Sequence, residues 1–214
     1  MTIFFHVLRV SLVVVVLFGT ELHTAQAGSN KDKTWPCVQR KVPLISIGVV
    51  WSGPKLDEKS STWASDSDVA PIVAATTSRR ITIDEANAKI TAFAKTLEID
   101  RAQKLIKLFT GQFQAINRER RDIVRGIGRY AKRQIALSEA IKATAQKLAA
   151  LRARRALKDA DKKQRDTLQE KLNWDTRVYD AREKSLQFVC ETPVLLEQRL
   201  YAFGKQISAL IARQ

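Results

Sequence analysis

Residues 99–151 read IDRAQKLIKLFTGQFQAINRERRDIVRGIGRYAKRQIALSEAIKATAQKLAAL. A series of sixteen positions, spaced alternately three and four residues apart, runs through this stretch. Its members are Ile99, Ala102, Ile106, Phe109, Phe113, Ile116, Arg120, Ile123, Ile127, Tyr130, Gln134, Leu137, Ile141, Thr144, Leu148 and Leu151. All except Arg120, Gln134 and Thr144 are apolar. A repeat of seven with two apolar positions predicts a long helix that buries one narrow seam in a coiled coil.

The seam ends at Leu151, which predicts a turn. The next four core positions would be Arg155, Lys158, Lys162 and Arg165, and a coiled-coil core does not hold four consecutive cations. A second apolar seam begins in a new phase at Leu168 and runs to Leu210. We therefore predict an all-α fold, a long antiparallel helical hairpin (coiled coil) with its turn near residues 154–161. Folding about residues 157–158 places Gly111 opposite Gly204.

Two further features refine this hairpin. Thr82 and Glu85 form a T-x-x-E capping box, which predicts a short third helix at the open end of the hairpin. Its apolar face consists of Ile83, Ala86, Ile90, Phe93 and Leu97. Arg120 occupies a core position, and two interpretations stay open: its guanidinium reaches solvent, or it pairs with Glu191 or Glu197.

Residues 1–27 have the pattern of a secretory signal peptide. Arg9 supplies the positive charge, residues 10–19 are apolar, and Ala25-Gln26-Ala27 is an A-x-A cleavage site. Cleavage predicts a periplasmic or secreted protein. An uncleaved signal that anchors the protein in a membrane is the alternative. Both histidines, His6 and His23, lie in this segment.

The remaining chain divides by composition into three zones. Residues 28–51 contain Pro36 and Pro43 among β-branched and aromatic residues, which predicts an extended N-terminal segment laid along the helices. Residues 52–80 are rich in Ser, Thr, Ala, Asp and Pro without periodicity, and we predict a flexible linker there. Residues 81–214 form the helical-hairpin coiled-coil domain.

The two cysteines, Cys37 and Cys190, are predicted to form a structural disulfide. In an exported chain two thiols most simply oxidise to one bridge. A redox pair and intermolecular bridging are the alternatives. Neither cysteine lies in a C-x-x-C motif, which favours the structural bridge.

The positive charge is concentrated on the first long helix. The chain has 37 basic and 22 acidic residues, a net charge of +15, and residues 101–158 hold 16 of the basic and 3 of the acidic ones. In the heptad frame a stripe about 55 Å long lies on the outer face of that helix. It consists of Lys104, Lys107, Arg118, Arg121, Arg125, Arg129, Lys132 and Lys142. These residues are predicted to bind an anionic partner; a solvated helix face is the alternative.

The sequence argues against an enzyme. Without the signal peptide the chain has no histidine, and it contains no G-x-S-x-G motif, P-loop or dinucleotide fingerprint. We therefore assign no catalytic residue, metal ligand, cofactor or small-molecule substrate.

The segment Trp35-Pro36-Cys37-Val38-Gln39-Arg40-Lys41-Val42-Pro43, with Trp51-Ser52-Gly53-Pro54, resembles the amino-terminal signature of uncharacterised exported bacterial proteins with helical bodies. This resemblance implies no activity. The basic hairpin is also similar in architecture to periplasmic holdase chaperones with cationic helical arms. We expect a non-enzymatic scaffold or adaptor that binds an anionic envelope component or an acidic protein surface, with a holdase as the alternative. Export disfavours nucleic acid; a membrane surface and oligomerisation stay open.

Overall fold

The computed structural model describes residues 34–156 and 158–213, so the predicted signal peptide, residues 1–27, lies outside the described residues. Every regular element in this part of the chain is helical. The elements are α1 (Ile47–Val50), a 3-10 helix (Lys59–Ser65), α2 (Val69–Thr77), α3 (Ile83–Thr96), α4 (Arg101–Arg152) and α5 (Asp159–Ala212). The predicted all-α fold is confirmed.

Helices α4 and α5 form the predicted antiparallel hairpin, connected by residues 153–158. Tyr130 Oη donates a hydrogen bond to the carbonyl of Arg182 (2.9 Å), and Gln134 Nε2 donates one to the carbonyl of Tyr179 (3.2 Å). The partner's number falls as the number on α4 rises, as an antiparallel pair requires. The turn lies at the start of the predicted range.

Every position of the predicted seam after Ile99 is buried or partly buried, and its three polar positions are among the buried ones. Arg120, Gln134 and Thr144 are 6%, 8% and 6% exposed, respectively. The prediction is wrong for the first position of the seam. Ile99 is 77% exposed, because it precedes α4 and is followed by Asp100 in a left-handed conformation (φ 54°). The coiled-coil pattern therefore begins within α4 and not before it.

The prediction of a flexible linker over residues 52–80 is wrong. This stretch contains the 3-10 helix and α2, and both pack on α4. Val69, Val73 and Thr76 are buried, and the ring of Trp63 packs against the same core. Spacings of three and four residues between these apolar positions place them on one face of α2, so their burial offsets the entropy cost of ordering the chain.

Helix α3 is the predicted third helix and packs on α2 and α5 at the open end of the hairpin. Its capping box is present: the Glu85 backbone N–H donates to Thr82 Oγ1 (3.1 Å), and the Thr82 backbone N–H donates to Glu85 Oε2 (2.7 Å). Buried Arg199 donates to the carbonyls of Thr76 (3.1 Å) and Ile81, which fixes the connection between α2 and α3 to α5.

The predicted disulfide between Cys37 and Cys190 is confirmed, with the two Cα atoms 5.6 Å apart. From Cys37 the chain follows the hairpin without regular structure until the single turn of α1. The Ile45 backbone N–H donates to Asn117 Oδ1 (2.7 Å), and Asn117 Nδ2 donates to the Ile45 carbonyl (3.2 Å). Because Asn117 satisfies both backbone groups of Ile45, this segment is held to α4 by its main chain.

Gly111 and Gly204 each make room for a segment that precedes the hairpin, rather than for the other glycine as predicted. A Cβ atom on Gly204 would lie 1.8 Å from the carbonyl oxygen of Val50. A Cβ atom on Gly111 would lie 2.6 Å from Val73 and 2.8 Å from the ring of Trp63. The missing side chains thus let the N-terminal half of the chain pack tightly on both long helices.

We distinguish a head and an arm. The head contains α1, the 3-10 helix, α2, α3, residues 101–117 of α4 and residues 190–212 of α5. The arm contains residues 118–152 of α4 and residues 159–189 of α5. No residue of α5 in the arm is buried, whereas residues 190–212 include nine buried ones.

Candidate interaction surface

The outer basic face of α4 consists of the eight cations of the predicted stripe, and all eight lie within the continuous helix Arg101–Arg152. Lys104 and Lys107 are partly buried in the head. The other six are exposed in the arm: Arg118, Arg121, Arg125, Arg129, Lys132 and Lys142. The stripe therefore divides into two parts with different surroundings.

In the head, the cations are paired within the chain. Lys107 Nζ lies 2.9 Å from Asp66 Oδ2, and Lys104 forms an ion pair with Asp68. Burial raises the pKa of Asp66, but hydrogen bonds from Lys107 and from the Val69 backbone, with the charge of Lys107, lower it below its usual value. The hydrogen bond to Asp68 raises the pKa of Lys104. Both ion pairs attach the start of α2 to α4.

An aromatic contact accompanies these ion pairs. The ring of Trp63 lies on Gly111, and its indole Nε1 donates a hydrogen bond to Gln114 Oε1 (2.9 Å). Gly111 and Gln114 follow Lys104 and Lys107 by one heptad on the same outer face. Residues 59–77 therefore cover the outer face of α4 in the head with two carboxylates and one indole ring.

In the arm, the outer face is uncovered. Arg125 forms an ion pair with Asp122 on its own helix. Among the described residues, no acidic group lies within 4 Å of the cationic groups of Arg118, Arg121, Arg129, Lys132 or Lys142. These five cations extend over about 36 Å of helix.

The two helices of the arm differ in charge. Residues 118–152 of α4 contain ten basic and three acidic side chains, whereas residues 159–189 of α5 contain seven of each. Both helices present polar outer faces to solvent in the same structure. The excess positive charge is therefore specific to α4.

Arg120 lies at the junction of head and arm and does not belong to the exposed surface. Its Nη1 lies 3.3 Å from Glu197 Oε2 and donates to the carbonyl of Pro193, and its Nε donates to the carbonyl of Val42 (3.1 Å). The pairing with Glu197, one of the two partners predicted, is confirmed. Burial lowers the pKa of Arg120, and Glu197 acts against this. Arg120 thus joins the N-terminal segment, α4 and α5.

A row of exposed apolar residues lies on α5. Trp174, Phe188 and Leu195 are 63%, 72% and 58% exposed, respectively. They are separated by fourteen and seven residues, so they occupy the same heptad position and share one face of the helix. This spacing was readable in the sequence beside the core seam of α5.

Beside Arg118, an open groove of about 560 Å³ is lined by Arg79, Ala115, Arg118, Glu119, Asp122 and Ile123. In the described part of the chain, no three His, Cys, Asp or Glu side chains are grouped so that they could hold a metal ion. None of the described helices has the length and apolarity needed to cross a membrane.

Sequence reasoning missed the residues that cover the outer face in the head. Asp66, Asp68 and Trp63 lie in the stretch interpreted as a linker. The signal was present: Val69, Ile72, Val73 and Thr76 follow the two aspartates at helical spacing. The Ser- and Thr-rich composition on either side concealed it.

Comparison of the chain with protein-family models, with curated proteins and with solved structures finds no match.

Proposed function

We propose that this protein is a non-enzymatic scaffold or adaptor of the cell envelope whose arm presents the outer basic face of α4 to an anionic partner. The observation that carries the proposal is the set of five exposed cations in the arm without an acidic partner among the described residues. Helix α4 is rooted in the head by the ion pairs of Lys104 and Lys107, so the cations are held on a defined helix face.

Solvation alone is a poor explanation of this charge distribution. Cations of one sign in a row repel one another and destabilise the folded arm. The adjacent helix α5 faces the same solvent with equal numbers of basic and acidic residues in residues 159–189. A partner that supplies negative charge would remove the repulsion on α4.

Three observations support a location outside the cytoplasm. Residues 1–27 have the pattern of a signal peptide, and the Trp35–Pro43 segment resembles exported bacterial proteins. The disulfide between Cys37 and Cys190 is compatible with an oxidising compartment. An anionic component of the envelope, such as an acidic lipid surface, an anionic glycan or an acidic protein, is the class of partner that this location offers.

The test is binding to vesicles that contain phosphatidylglycerol, and separately to polyglutamate, at low and high salt. The variant Arg118→Glu/Arg121→Glu is compared with Lys163→Glu/Lys184→Glu on the outer face of α5, which changes the net charge equally. We expect the α4 variant to lose about tenfold or more in affinity, since each cation near an anionic surface contributes about 1 kcal/mol. The α5 variant should bind nearly as the wild type does.

Two results would contradict the proposal. Binding that is insensitive to salt would exclude an electrostatic interaction. An equal loss in the α4 and α5 variants would show that net charge, and not the outer basic face, determines binding.

The exposed row Trp174, Phe188 and Leu195 favours a second candidate, a holdase-type chaperone with a cationic arm. Such a protein binds unfolded clients through exposed apolar side chains. The variant Trp174→Gln/Phe188→Gln is then expected to lose suppression of aggregation of a denatured outer-membrane protein, while Arg118→Glu/Arg121→Glu retains it. If the wild type does not suppress aggregation, this candidate fails.

A further inference from the structure

The head shows how an acidic segment docks on the outer face of α4, and the arm repeats the two cationic positions of that surface without an occupant among the described residues. Lys104 and Lys107 bind the carboxylates of Asp68 and Asp66. Arg118 and Arg121 follow them by fourteen residues, which is two heptads, so they occupy the same two outer positions of the helix. They are exposed and have no acidic partner among the described residues.

The arm also has a glycine on its outer face, at the position that corresponds to Gln114, the hydrogen-bond partner of Trp63; Arg125 corresponds to Gly111. Gly111 leaves the space in which the ring of Trp63 packs. In the arm, Gly128 lies on the outer face at the heptad position of Lys107 and Arg121, and a Cβ atom there would have no heavy atom within 4 Å. Glycine disfavours a helix relative to alanine, and no contact in the fold explains it at this position. The exposed side chain of Ile135 lies one heptad further along.

We propose, on the basis of the function proposed above, that the partner of the arm is a protein segment with neighbouring carboxylates and an aromatic side chain. It docks between Arg118 and Lys132 with its carboxylates placed as those of Asp68 and Asp66 are in the head. Its carboxylates pair with Arg118 and Arg121, and its aromatic ring packs on Gly128. The chain thus carries, within its own head, a mimic of the segment that its arm binds.

Charge and shape favour such a segment over the other occupants. In a second copy of this chain, residues 118–152 of α4 again contain ten basic and three acidic residues, so two such helices would repel one another. A lipid surface would contact the arginines, but a glycine at residue 128 would not increase its affinity for the arm. A glycine matters for a ring that packs against the helix backbone.

The probe is the peptide of residues 59–77, which carries Trp63, Asp66 and Asp68. Its affinity for the whole folded protein is measured by fluorescence anisotropy and compared with that of the same peptide carrying Asp66→Asn and Asp68→Asn. We expect the asparagine peptide to bind at least about tenfold more weakly, since both ion pairs are lost. The peptide competes equally with residues 59–77 for the head in the wild type and in variants of the arm. A difference in affinity between these proteins therefore reports binding to the arm.

Two matched variants test whether the space above Gly128 receives the aromatic ring. Gly128→Leu is expected to lower the affinity for the peptide about tenfold, because the new side chain fills the space for the ring. Gly126→Leu, where a Cβ atom would meet only the tip of Arg129 at 3.8 Å on another face of the helix, should leave the affinity unchanged. Helix content and thermal midpoint are recorded for both, since replacing a glycine should not lower either.

The binding results distinguish a docked acidic segment from a lipid partner. If the two peptides bind equally, or if Gly128→Leu binds as the wild type does, a docked acidic segment is excluded. If vesicles bind with a dependence on Arg118 and Arg121 while the peptide does not bind, the proposed function stands and this inference falls, because the anion is then a lipid headgroup. If vesicles, polyglutamate and peptide all fail to bind, both proposals fall.

Discussion

The head and the arm use the same helix in opposite ways. In the head, α4 is surrounded by α5, the N-terminal segment, the 3-10 helix and α2, and seven of the eight residues from 105 to 112 are buried. In the arm, α4 packs along α5, and beside the head it is also contacted by Arg79 at Glu119 and by Val42 at Arg120. One heptad helix thus serves as a core element along one part of its length and as a surface along another.

The difference has a cost in stability. A two-helix arm buries apolar side chains along one seam, and no residue of α5 between 159 and 189 is buried. Regions with few buried contacts open at lower free energy than a core does. We therefore expect the arm to open locally well before the head unfolds.

The largest expected effect comes from the bond between Cys37 and Cys190, which closes a loop of 153 residues. In the chain-entropy model its removal lowers the free energy of unfolding by about 5 kcal/mol. We expect Cys37→Ser/Cys190→Ser to show this loss in urea denaturation followed by circular dichroism. Reduced wild-type protein is the control and should match the variant; equal stability of the oxidised protein and the variant would contradict the prediction.

Truncation of one core side chain in each region compares them directly. Phe109 is fully buried in the head and stacks on Trp51 with ring centroids 4.1 Å apart, so Phe109→Ala should lower the free energy of unfolding by about 4 kcal/mol. Leu148 is buried in the arm between two helices, and Leu148→Ala should cost about 2 kcal/mol, since the arm can close around the cavity.

Hydrogen exchange separates global from local effects. We expect Phe109→Ala to accelerate exchange throughout the head, and Leu148→Ala to accelerate it chiefly near the turn. Equal losses with the same exchange pattern would mean that head and arm unfold as one unit.

Two glycines on the long helices provide a smaller contrast. Gly204→Ala would place a Cβ atom 1.8 Å from the carbonyl oxygen of Val50, and we expect a loss of about 2–3 kcal/mol as the N-terminal segment is displaced. Gly128→Ala meets no atom within 4 Å, and alanine should gain up to about 1 kcal/mol there. Thermal unfolding measures both; a loss at Gly128 would show that the arm's outer face is covered in the free protein.

The smallest effect concerns pH. The pKa of Asp66 in the folded state lies below the ordinary value of 3.8 for this side chain, so its ionised form stabilises the head. This contribution is present above about pH 4 and is lost as the pH falls through the lowered pKa. We expect the fluorescence of Trp63 to report loosening of the 3-10 helix from α4 in acid. In Asp66→Asn, the same change should be absent below about pH 4, because no carboxylate is left at residue 66 to be protonated.

Much of the fold was predictable because periodicity is local. The seams of both long helices, the turn, the third helix with its Thr82–Glu85 box and the Cys37–Cys190 bond all follow from spacing or from a count of cysteines. The pairing of Arg120 with Glu197 follows from the antiparallel register. The basic stripe was equally readable, since charge and heptad position are properties of the sequence.

Heptad position thus specifies which residues lie on the outer face of α4, whereas the packing of the distant residues 59–77 specifies which of them are covered. Lys104 and Arg118 occupy equivalent heptad positions. One binds Asp68 because residues 59–77 fold back on the head, and the other is exposed because the chain offers no segment to cover it among the described residues. Such contacts join residues 36 or more positions apart. They form only when the apolar area buried outweighs the entropy cost of closing the loop, and a local sequence pattern does not encode this balance.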